Sequence, residues 1–212
     1  MAYRIKVGDL KLSDKAKEYV NQVLASNQLS NGPFTQRFEE EFARLHDSAY
    51  AIFCNSGTSA IQIALGALKE LDGWKDWDEV IVPATTFVAT VNVVIHNRLT
   101  PVLADVDLDT FLIQSNSIES AITDKTRCII PVHLCGLPCD MAWIKSLAGM
   151  HNLRIIEDSC EAMFASVNTA NTDRGRRVGS WGDAGCFSTY ISHYIVTGVG
   201  GICTTQDYKL AK

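Results

Sequence analysis

Three short segments carry residues whose types and spacing could do chemistry. The first, CNSGTSA over Cys54–Ala60, lies between an apolar run and a helical pattern. Its small residues let a ligand approach the backbone, and the N–H groups of a helix start, with the hydroxyls of Thr58 and Ser59, suit a phosphate. An ordinary capped helix start has the same composition. The second is Asp158, which closes LRIIED; a carboxylate at a strand end can cap a helix, ligate a metal or pair with a ring nitrogen. The third is FSTYISHYIVTGVGG, in which Ser188 precedes His193 by five residues and a glycine-rich turn, Gly198 to Gly201, follows. A histidine there is either a structural hydrogen-bonding group or a proton-transfer group working near neutral pH.

The elements that must hold these segments follow from periodicity. SDKAKEYVNQVLAS reads as a helix capped by Ser13, with Ala16, Val20, Val23 and Leu24 on one face. A second helix carries Phe34, Phe38, Phe42 and Leu45 at core spacing. Strand-like and helical runs then alternate: AYAIF with TSAIQIALGALKEL, EVIVPA with FVATVNVVIHN, PVLADV with SNSIESAI, CIIPV with MAWIKSLAGMH, and then LRIIED. Such alternation predicts an α/β fold, a mostly parallel sheet with helices on both faces. Ligands of such folds gather at the carboxyl ends of the strands. ASVNTANTDRGRRVGSWGD reads as an exposed loop, followed by a strand pair, AGCFSTY and GGICTT, and the start of a helix in QDYKLAK.

Composition narrows the function. With 212 residues, 47% hydrophobic and 20% charged, the chain can bury a large core. A net charge of −5 without basic runs gives no footprint for nucleic acid, and no apolar run is long enough for a membrane span. The N-terminus, MAYRIKVGDLKLSDKAKEYV, lacks the pattern of a secretory signal, so the expected location is cytoplasmic. Seven scattered cysteines argue against a disulfide framework. Cys135, Cys139 and His133 invite a zinc reading, but no fourth ligand stands at a recognisable spacing, so no metal is expected.

In their order and over nearly the whole chain these motifs resemble the DegT/DnrJ/EryC1/StrS family, sugar aminotransferases of PLP fold type I. The resemblance rests on NSGTSAIQIAL, VIVPATTFVATVNVVIHNRLTPVLADVD, IIPVHLCGLPCDM, LRIIEDSCEA and GSWGDAGCFSTYISHYIVTGVGGICTT. It implies that residues 1–212 form the large domain that binds pyridoxal 5′-phosphate (PLP), with an N-terminal helical segment over about 1–46. A C-terminal small domain is expected to be missing, so that the chain is a fragment. By the same resemblance Gly57, Thr58 and Ser188 hold the cofactor phosphate, with Ser59 beside them. Phe87 stacks on the pyridine ring, Asp158 pairs with the ring nitrogen, and Glu161 lies near the ring.

Two positions depart from the family pattern. Where its aminotransferases carry lysine, this chain has His193, and imidazole cannot make the stable covalent link to PLP that a lysine amine makes. Val199, in GVGG, replaces a usual acidic residue. Histidine at the lysine position marks a branch of 3-dehydratases acting on nucleotide-linked 4-keto-6-deoxyhexoses with pyridoxamine 5′-phosphate. The resemblance therefore implies a dehydratase of lipopolysaccharide or deoxysugar biosynthesis with His193 as its catalytic acid and base, working as a homodimer. Some members of that branch regenerate the amine with glutamate, and others carry an iron–sulfur cluster. Cys160 lies about where the latter have one ligand, but reads as a buried free thiol. The alternatives are a sugar aminotransferase (transaminase) and a non-catalytic nucleotide-sugar-binding or regulatory homologue.

Overall fold

A computed structural model describes residues 11–169 and 172–212; the first ten residues of the expected N-terminal helical segment lie outside them. Helix α1 (Asp14–Ser26) is capped by the Ser13 hydroxyl, which accepts from the Ala16 N–H at 3.1 Å. Helix α2 (Pro33–Leu45) follows. The alternating part comprises β1 (Tyr50–Cys54), α3 (Gly57–Asp72), β2 (Glu79–Pro83), α4 (Val88–His96), β3 (Thr100–Ala104), α5 (Ser115–Ala121), β4 (Thr126–Ile129), α6 (Met141–His151) and β5 (Arg154–Asp158). A hairpin of β6 (Ser166–Thr169) and β7 (Thr172–Arg177) leads to β8 (Ala184–Ser188), β9 (Gly201–Thr205) and the short α7 (Tyr208–Ala211).

The sheet has seven strands in the order β1-β9-β8-β5-β4-β2-β3. Every neighbouring pair is parallel except those made by β9, which runs antiparallel to both β1 and β8. Alternate residues feed two cores, as a period of two demands. Val80, Val82, Ile156 and Cys186 pack with Ile61, Leu65 and Leu68 of α3. Ile81, Ile129 and Ile155 pack with Ile118 of α5 and Met141, Ile144 and Leu147 of α6. Phe187 and Ile202 meet Phe42 of α2. Helices on both faces are what the alternation predicted.

Two expectations need correction. The segment read as an exposed loop contains the β6–β7 hairpin, and Val178, Ser180 and Trp181 beyond it are buried. Its hairpin pairs Ser166 with Arg177 and Val167 with Arg176, and the single apolar Val167, which packs on the core, leaves no apolar alternation to read. The apolar face expected of α1 forms but buries nothing among the described residues: Val20 and Leu24 are exposed. The helix touches α2 through Tyr19 and Phe34, whose ring centroids are 5.2 Å apart.

Candidate active site

Because β1, β5 and β8 point the same way, their carboxyl ends share one edge of the sheet. There Asn55, Asp158 and Ser188 border a cavity of about 420 Å³. Gly57, Thr58, Phe87, Asp158, Glu161, Ser188 and His193 all line it. Ser59 does not: its Oγ lies 3.0 Å from Ser56 Oγ, which also accepts the Ser59 N–H at 3.0 Å. It is part of the helix cap and not of the cavity wall.

The start of α3 is brought in by close packing. A Cβ at Gly57 would come within 2.7 Å of Cys160 Sγ and 2.8 Å of Ser188 Cβ, so only glycine lets this helix end sit against the end of β8. The first N–H groups of a helix have no partner within it, and with the Thr58 and Ser188 side chains they furnish an anion cradle at the positive end of a 16-residue helix. This donor set, with Gly57 drawing it up to Ser188, fits a bound phosphate.

Asp158 is buried, and its Oδ2 accepts from Thr90 Oγ1 at 2.8 Å while Oδ1 accepts from the Cys160 N–H at 3.3 Å. Burial pushes its pKa up, against the pull of the Thr90 and Cys160 hydrogen bonds. A desolvated carboxylate of this kind gains most from a positively charged partner, and a protonated ring nitrogen fits that need. Glu161 is held by the Cys135 N–H, which donates to its Oε2 at 2.6 Å. Phe87, at the start of α4, exposes most of its ring on the cavity wall.

His193 is half-buried. Its pKa is lowered by that burial, against the nearby charges of Glu161 and Asp158. Among the described residues neither Lys nor Arg lines the cavity. Tyr190, Ser192 and Val199 complete the wall around His193. Sequence reasoning passed over Tyr190 and Ser192, and over Thr90 behind Asp158; a threonine inside a helix reads as core, so no signal marked it.

The HLCGLPC residues do not converge. His133 Nδ1 accepts the Cys139 N–H at 3.0 Å, its Nε2 faces Glu157 Oε2 at 3.1 Å, and Cys139 Sγ donates to the Val132 carbonyl at 3.2 Å. Among the described residues no group of three or more His, Cys, Asp or Glu could hold a metal, and no helix is long and apolar enough to cross a membrane. The Cys160 thiol is pushed well above its usual range, first by burial and then by the charge of Asp158.

The model of the DegT/DnrJ/EryC1/StrS aminotransferase family matches residues 11–212. The chain is 41% identical over 209 residues to a GDP-perosamine synthase of Caulobacter vibrioides, covering 98% of this chain and 54% of that protein. Among solved structures, an aminotransferase from Psychrobacter cryohalolentis superposes with a TM-score of 0.84 at 41% identity, over 95% of this chain and 49% of the other. A GDP-4-keto-6-deoxy-D-mannose-3-dehydratase of Escherichia coli with bound hydrated PLP superposes at 0.86 with 29% identity, over 97% and 52%. The chain spans about half the length of the curated relatives it matches.

Proposed function

The chain belongs to the DegT/DnrJ/EryC1/StrS aminotransferase family, and from that premise we propose that it is the cofactor-binding part of a nucleotide-sugar 3-dehydratase. The observation that carries this reading is His193, a half-buried imidazole on the wall of a cavity that, among the described residues, no lysine lines. The cofactor is pyridoxal or pyridoxamine 5′-phosphate, which when bound supplies an electron sink conjugated to the carbon attached to it.

The chain's own groups divide the work. Gly57, Thr58 and Ser188 hold the phosphate, Phe87 covers the face of the ring, and Asp158 keeps the ring nitrogen protonated. With His193 in place of a lysine, these contacts would retain the cofactor without a covalent link. His193 would take the proton released from the carbon attached to the cofactor ring and pass it to the C3 hydroxyl of a nucleotide-linked 4-keto-6-deoxyhexose, which would leave as water, work open to an imidazole near neutral pH. Glutamate is the proposed amine donor. A second subunit and the rest of a longer chain complete the sugar site. Residues 1–212 constitute the large domain in this reading.

A second reading, an aminotransferase, is favoured by sequence: identity is 41% to the perosamine synthase and 29% to the dehydratase. The product separates the two. Given a nucleotide-linked 4-keto-6-deoxyhexose and glutamate, a protein carrying this chain yields a 3-deoxy ketosugar under the first reading and an aminosugar under the second. Binding is tested by adding PLP, dialysing and reducing with borohydride. The wild type should keep PLP without a trapped adduct, and His193→Lys should trap it at residue 193. Loss of PLP from both proteins would favour a non-catalytic homologue.

A further inference from the structure

We propose that Thr90 is a positioning residue for Asp158, and that a directed hydroxyl relay from Thr86 through Thr90 ties this carboxylate to the loop that carries Phe87. The proposal rests on the cofactor reading above and concerns a side chain that does not line the cavity.

Thr90 sits in the first turn of α4 and has no exposed surface. Its Oγ1 is 2.8 Å from Asp158 Oδ2 and 2.8 Å from Thr86 Oγ1. A hydroxyl has one proton and a carboxylate can only accept. Thr90 therefore donates to Asp158, and the contact with Thr86 must run from Thr86 to Thr90. The Thr90 N–H also donates to the Phe87 carbonyl at 3.1 Å. One residue thus fixes the carboxylate that faces the ring nitrogen and, through its backbone and Thr86, the segment that presents the ring-covering Phe87.

Chemistry supplies the reason for a hydroxyl here. Valine would fill the same volume without burying a polar group, so a threonine at zero exposure answers to its partner. Burial drives Asp158 towards its neutral acid, in which form it no longer stabilises a protonated ring nitrogen; the Thr90 bond works against that drive. It is also the shorter of the two bonds that the carboxylate accepts, 2.8 Å against 3.3 Å from the Cys160 N–H.

The test compares wild type, Thr90→Val, Thr90→Ser and Thr86→Val. In the chain without cofactor, ¹³C-aspartate NMR follows the titration of Asp158. Thr90→Val should move the midpoint up by about one pH unit, the worth of one hydrogen bond to a charged group. Thr90→Ser should restore it, and Thr86→Val should move it in the same direction by less. An unchanged midpoint in folded Thr90→Val overturns the proposal; if that variant does not fold, an unchanged midpoint in Thr86→Val does so. With PLP labelled at the ring nitrogen, the ¹⁵N shift should move towards the unprotonated value in Thr90→Val and stay in Thr90→Ser. A wild type that fails to retain PLP sinks the cofactor reading, while the cofactor-free titration still decides the link from Thr90 to Asp158.

Discussion

Glu157 and Asp158 are neighbours on β5, both buried, and they point to opposite faces of the sheet. Glu157 is saturated: Oε1 accepts from the N–H groups of Trp181 and Gly182 at 2.7 and 2.8 Å, and Oε2 from the Gly179 N–H at 2.8 Å, with His133 Nε2 at 3.1 Å. Gly179 has a φ of +80°, a left-handed conformation, and a Cβ there would lie 2.3 Å from Phe187 Cζ. Only glycine lets that turn close over the carboxylate. Asp158 receives less and opens on a cavity. One carboxylate has its charge met by the fold; the other keeps capacity for a ligand. Burial alone does not separate structural from chemical acids, whereas the tally of donors does.

The largest effect should come from the saturated side. Glu157→Ala leaves three N–H groups, those of Gly179 and Trp181 buried, and the buried His133 without their partner, and should cost about 4 kcal/mol in urea unfolding. A loss below about 1 kcal/mol would remove the contrast between the two acids.

Acid should act on the same face. His46, stacked on Phe42 with centroids 4.4 Å apart, has its pKa pushed down to about 4, chiefly by burial, against about 6.5 in an unfolded chain. The unfolded state therefore binds the proton first. Stability from this group is fully present above about pH 6.5 and is lost as pH falls to about 4, by about 3 kcal/mol. Denaturant midpoints across that window should fall in the wild type and flatten in His46→Phe.

These contrasts were unevenly legible in the sequence. Apolar runs announced β2, β4 and β5, and the strand–helix alternation placed Asp158 at a ligand-facing edge before any coordinates did. Spacing drew attention to Ser188 and His193, and only the family resemblance gave them roles; β8, parallel to β5, brings Ser188 to the same edge as Asp158. Glu157 was not singled out: an acid beside another acid at a strand end looks the same whether it meets backbone donors or a cavity. Its donors come from Gly179, Trp181 and Gly182, in a stretch that reads as exposed loop because it is polar and contains glycines. Ser59 was placed with the ligand because a hydroxyl that caps a helix and one that binds a phosphate have the same local sequence.

On the cavity side, Gly57→Ala tests whether the cradle depends on close approach. The added Cβ meets Cys160 Sγ and Ser188 Cβ below 3 Å, so α3 must shift. PLP retention should weaken at least about tenfold, at a stability cost of about 1–2 kcal/mol. Equal affinity in the variant would move the phosphate elsewhere.

The smallest change in stability should come from Asp158→Asn, and its sign is the informative part. Burial raises the pKa of Asp158 in the folded state, so the folded protein holds the proton more tightly than the unfolded chain does. Its contribution is present at low pH and is lost as pH rises through the raised folded value. Asparagine does not titrate. The free energy of unfolding of the cofactor-free variant, relative to wild type, should therefore drift in the variant's favour as pH rises above about 4, while the amide oxygen still serves one of the two donors, Thr90 Oγ1 and the Cys160 N–H. PLP retention should fall at the same time. A variant that loses several kcal/mol at all pH values would place Asp158 with Glu157, as a carboxylate whose charge the fold itself requires.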